Sequence, residues 1–109
     1  MVLDEILKLK SSEVDESKRV LPLSKLKRAL ASHKRVPRSL EQALLRNHGI
    51  HLICELKQAS PSEGILRGNF DLVRLAKQFE AAGASAISVL TERNFFKGDP
   101  VNVRRVREC

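Results

Sequence analysis

A carboxylate and an amine, Glu55 and Lys57, stand two residues apart at the end of an apolar run that begins at His51. Side chains of a strand alternate between its faces, so both would point the same way. An ammonium group can stabilise negative charge growing on a substrate oxygen, and a carboxylate beside it can orient it and share in proton transfer. The chain then breaks into Ser60-Pro61-Ser62-Glu63-Gly64, a turn by composition. Parallel α/β proteins gather their active sites at the carboxyl ends of strands, where such turns begin. On spacing alone, an ion pair closing a strand end is the plainer reading of these two residues.

The flanking pattern says what would carry them. Residues 2–19 place Leu3, Ile6, Leu7 and Val14 near one face and read as an amphipathic helix, broken at Leu21-Pro22-Leu23. Ser24 offers an N-cap to a second helix bearing Leu26 and Leu30. Ser39 and Gln42 stand in capping-box spacing for a third, with Leu40, Ala43 and Leu44 inward and an end at His48-Gly49. Residues 1–48 are thus expected to form a helical extension.

From residue 49 the periodicity changes. Ile50 to Leu56 is a near-continuous apolar strand, as expected of one buried on both faces. Asp71 can cap a helix with Leu72, Leu75, Ala76 and Phe79 on its stripe, closing at Gly83. Ala86 to Leu90 reads as a second strand, and Asp99-Pro100 opens a further helix containing Val103 and Val106. Strand, helix, strand, helix is the βαβ pattern, with parallel strands and a right-handed crossover. The fold class is therefore α/β, with residues 49–109 forming two βα units. Two parallel strands leave two unpaired edges, which self-association or a complementing chain could fill.

Composition narrows the function classes. The charged share of 30% and hydrophobic share of 42% suit a globular chain. No apolar run reaches the ~18 residues of a membrane span, and no secretory signal opens the sequence, so a cytoplasmic protein without membrane association is expected. The formal charge is +7, and residues 17–40 hold Lys18, Arg19, Lys25, Lys27, Arg28, Lys34, Arg35 and Arg38 without an acid. Aromatic residues amount to 4%, with no Trp or Tyr, which leaves no base-stacking surface. A solvated helical face is favoured over a nucleic-acid partner. His33, His48 and His51 have no metal-motif spacing, and Cys54 and Cys109 make neither a disulfide framework nor a metal motif, so no metal is expected.

Three stretches together resemble one family, the indole-3-glycerol phosphate synthases. Leu3-Asp4-Glu5-Ile6-Leu7 is similar to its leading helix. Glu55 to Gly64 is similar to its first strand and loop, E-x-K-x-x-S-P-S-x-G. Ala82 to Glu92, followed by Phe95-Phe96-Lys97-Gly98, is similar to its second strand and loop. The resemblance implies the amino-terminal part of a (β/α)₈ TIM barrel behind a helical extension. It also implies tryptophan biosynthesis: the decarboxylating ring closure of 1-(2-carboxyphenylamino)-1-deoxyribulose 5-phosphate, a phosphorylated small-molecule substrate, without cofactor. Glu55 and Lys57 would be catalytic, Ser60 and Pro61 would line the pocket, and Phe96 would pack on the substrate's aromatic ring. The family pattern also requires a lysine on the third strand and a glutamate on the fourth, which this sequence lacks. A closed barrel takes eight βα units in about 250 residues. The expectation is a truncated form, inactive alone, since each lost acid–base group costs ~10² to 10⁴ in rate.

Overall fold

Asp4 and Glu5 near its start and Lys18 and Arg19 near its end complement the backbone dipole of the first helix, α1, Val2–Val20. The computed structural model describes residues 1–109 and divides into two compact units, Met1–Arg38 and Ser39–Cys109. In the first unit α1 is followed by α2, Leu23–Ala31. The N-cap of α2 is Pro22, not Ser24, and the Pro22 carbonyl accepts the Leu26 N–H at 3.1 Å. Proline lacks an N–H, so it ends α1 and starts α2 in a single step, which leaves Ser24 inside the first turn. No residue of α1 or α2 is buried; Leu7 and Leu30 stay 58% and 68% exposed.

The second unit opens with α3, Leu40–Leu45, where Ser39 Oγ accepts the Gln42 N–H at 3.1 Å. This helix stops short of His48-Gly49, and Gly49, at φ +134°, turns the chain toward the sheet. There β1, Ile53–Leu56, pairs in parallel with β4, Ala86–Val89, in the register Glu55↔Ser88 and Leu56↔Val89. Between them runs α4, Leu72–Ala81, capped by Asp71 Oδ1 accepting the Arg74 N–H at 3.0 Å. Gly83 ends its exit at φ +99°. After β4 comes α5, Val101–Glu108.

The core lies between one sheet face and the helices. Leu56, Leu72 and Ala76 are buried, with Phe79, Ile87, Val89 and Val106 packed around them. Ile53, Glu55, Ala86 and Ser88 alternate to the other face, where no helix of the unit sits, and Ile53 is 55% exposed. The expectation of a strand buried on both faces is corrected here. Its apolar content is real, but one layer of helices covers only one side of a two-stranded sheet. The whole chain exposes 8939 Å². Even two separate compact bodies dividing the same mass would expose only about 7,200 Å².

The segment after β1, expected as a plain turn, contains a minimal hairpin: β2, Ala59–Ser60, antiparallel to β3, Gly64–Ile65. Gly64 takes φ +67° inside it, and the Leu66 N–H returns to the Gln58 carbonyl at 2.8 Å. Buried Ala59 anchors its first strand.

Pro100 is the N-cap of α5, and the Asp99 carboxylate sits just ahead of it. Asp99 Oδ1 accepts the Val101 N–H at 2.9 Å, and Oδ2 faces Arg93 Nε at 3.1 Å. The Val101 N–H, opposed by desolvation and helped by the Arg93 guanidinium, holds the Asp99 carboxyl below its ordinary value. A lowered carboxyl pKa stabilises this contact above the unfolded value, and that stabilisation is lost as pH falls through the folded one. The Val101 amide is therefore expected to show a protection factor against exchange, relative to its intrinsic rate at each pH, that is high near neutrality and falls on acidification, with Asp99→Asn flattening that pH dependence. Opposite faces of β1 give a second contrast. Leu56→Ala, expected to cost about 2–5 kcal/mol, should abolish exchange protection of the β4 amides, whereas Ile53→Ala should leave most of it.

Candidate active site

Leu56, 2% exposed, fixes which way β1 faces. With its side chain driven against α4, Glu55 and Lys57 fall on the uncovered face by alternation alone. There Lys57 Nζ lies 3.4 Å from Glu55 Oε2, with both side chains partly exposed. The other carboxylate oxygen, Oε1, accepts a hydrogen bond at 3.1 Å from the Ser88 hydroxyl, directly across the sheet. One carboxylate thus joins a cation on its own strand to a hydroxyl on the next. The ammonium group keeps donors for an incoming oxygen, and the open face admits one.

Because β1 and β4 run parallel, the segments leaving their carboxyl ends emerge on the same side as the pair. Ser60 and Pro61, half-buried, belong to the segment after β1, and the Ser60 hydroxyl accepts the Glu63 N–H at 3.2 Å. Phe96, also half-buried, belongs to the loop after β4. The structure brings Glu55, Lys57 and Ser88 into contact, and it places Ser60, Pro61 and Phe96 on the adjoining loops.

Sequence reasoning passed over the residue that organises the second of these loops. The Glu92 carboxylate accepts N–H groups from Asn94 at 3.1 Å, Phe95 at 2.6 Å and Phe96 at 3.2 Å. Its main-chain carbonyl accepts from Gly98 at 2.6 Å. Gly98 has no room for a side chain, since a Cβ there would meet the Leu90 carbonyl oxygen at 2.1 Å. Lys97, before it, holds a left-handed φ of 52°. Only the Lys97-Gly98 dipeptide hinted at this tight turn, because a glutamate capping its own loop has no spacing signature.

The opposite end of β1 is structural. His51 Nδ1 lies 3.0 Å from the Ser85 hydroxyl and Nε2 lies 2.9 Å from the Asn47 carbonyl, which ties the strand entry to the turn after α3. Cys54 is a half-buried free thiol on the helix-facing side. Concavities on the surface run along α4, by Asp71, Arg74 and Gln78, and along α3; none of these includes Glu55 or Lys57. No helix is long and apolar enough to cross a membrane.

Comparison with known proteins identifies one family. The family description "Indole-3-glycerol phosphate synthase" matches residues 3–109. An indole-3-glycerol phosphate synthase of Campylobacter curvus is 43% identical over 109 residues, covering 98% of this chain and 42% of that protein. The enzyme of the same name from Thermoanaerobacter sp. (strain X514) is 44% identical over 108 residues, covering 99% and 40%. The chain thus spans about two fifths of the length of the curated relatives it matches. With its whole described fold inside that match, the chain belongs to the indole-3-glycerol phosphate synthase family.

Proposed function

We propose that this chain supplies the opening βα units of a (β/α)₈ barrel and, with them, part of an active site for decarboxylating ring closure to indole-3-glycerol phosphate. The observation that carries this reading is the Glu55–Lys57 contact of 3.4 Å on the uncovered sheet face, beside the carboxyl ends of both strands. Lys57 acts as the cationic acid, placed to stabilise charge on substrate oxygens and to assist loss of water. Glu55 orients Lys57 and shares in proton transfer. Ser60 and Pro61 line the pocket wall, and Phe96 offers its ring to the aromatic part of the phosphorylated substrate. No cofactor takes part.

The same face argues against turnover by these residues alone. It is open to water, which screens the pair and leaves no enclosed pocket for the reaction. The third- and fourth-strand acid and base of the family pattern have to come from further strands. Those strands would also cover Ile53 and pair with the free edges of β1 and β4. Strands from the remainder of such a barrel, or from a complementary chain, would complete the site.

The test mixes this chain with the carboxyl-terminal remainder of the Campylobacter curvus relative and follows indole-3-glycerol phosphate formation. Turnover is expected in the mixture and not from either piece. Glu55→Gln and Lys57→Met should each lower it by ~10² to 10⁴. Binding of the two pieces without turnover would instead leave a non-catalytic association module. Turnover indifferent to both substitutions would remove Glu55 and Lys57 from the chemistry.

A further inference from the structure

Ser88 is the sole polar side chain of β4, whose sequence is Ala86-Ile87-Ser88-Val89. Its neighbours Ile87 and Val89 pack against the buried cluster, so the strand's alternation delivers the hydroxyl to the opposite face. Ser88 stands in direct register with Glu55, and its O–H donates to Glu55 Oε1 at 3.1 Å while Oε2 faces Lys57. The two carboxylate oxygens are thereby assigned to different partners, and the plane of the group is set from both sides.

The three members of this cluster differ in stiffness. Lys57 hangs on four rotatable bonds and Glu55 on three, whereas Ser88 has a single χ angle on a strand held by backbone pairing. An ion pair between two long, half-exposed side chains does not by itself hold either one, because ordering them costs about as much as the attraction returns. A hydrogen bond from a fixed hydroxyl to a charged acceptor is stronger than one between neutral groups. Ser88 is the only rigid anchor in the trio.

We infer that Ser88 is a positioning residue: it locks the Glu55 carboxylate from the second strand and, through it, aims the Lys57 ammonium group. The inference rests on the proposed role of Glu55 and Lys57 in ring closure. Ser88 itself carries no proton to or from substrate.

Two measurements separate the claim from the functional reading beneath it. In the full 109-residue chain, side-chain scalar couplings of Glu55 should report one rotamer. They should average in Ser88→Ala and recover in Ser88→Thr, which keeps the Oγ, while amide exchange along β4 stays unchanged. In the mixture with the carboxyl-terminal remainder of the Campylobacter curvus relative, Ser88→Ala should lower kcat about ten-fold with KM held within about two-fold, and Ser88→Thr should restore kcat. Identical Glu55 couplings in wild type and Ser88→Ala would overturn the inference. A rise in KM at constant kcat would overturn it as well, by making Ser88 a substrate contact. A wild-type mixture without turnover would fail the functional reading, and the couplings would still decide the positioning claim.

Discussion

The register between β1 and β4 is the constraint from which the rest follows. Four backbone partners, Ile53 with Ala86 through Leu56 with Val89, decide at once which side chains enter the core and which meet at the open face. Because strand side chains have period two, a slip by one residue would put Glu55 against the helices and Leu56 in water. Leu56 at 2% exposure makes that slip costly, since burial of a leucine is worth roughly 1.5–3 kcal/mol. The apolar residue between the two charged ones is therefore what places them.

Placement and enclosure are separate matters in this chain. Its buried side is built: α4 and α5 cover Leu56, Ile87 and Val89. The face with Glu55 and Lys57 is bare, and the attraction between charges at a given distance is about four-fold weaker in bulk water than at the effective dielectric constant of ~20 near a protein surface. Covering the Ile53–Glu55 face would bury the Ile53 side chain and strengthen every contact of the Glu55 carboxylate. A covering layer thus serves stability and chemistry through the same act of excluding water.

Much of this was legible in the sequence wherever a local rule applied. Ser39 and Asp71 cap the helices their spacing indicated, and both strands appear within the apolar runs that suggested them. The shared face of Glu55 and Lys57 follows from alternation, and the structure bears it out. What escaped was of two kinds. Some features compete at the same few residues, as where Pro22 displaces Ser24 as the cap of α2, or where β2 and β3 are each two residues long and too short for any period to be read. Others depend on what lies opposite in space. The exposure of Ile53, the reach of Ser88 to Glu55 and the grip of Glu92 on its loop have no trace in residue type or spacing.

The two loops flanking the candidate site show how far local interactions alone can carry preorganisation. Glu92 meets Asn94, Phe95 and Phe96 within four residues, and Ser60 meets Glu63 within three, so each loop is tied by contacts whose closure entropy is small. Gly98, tight under the Leu90 carbonyl, fixes where the second loop rejoins the fold. The tie from Ser88 to Glu55 is long-range, as is the Leu90 N–H to the Leu56 carbonyl at 3.4 Å, and the β1–β4 ladder already holds Ser88 and Glu55 opposite one another. These contacts are all made within residues 51–99 before any covering layer is added. A layer docking here meets a carboxylate, an ammonium group and two loops already set, so little further ordering of these groups opposes its binding.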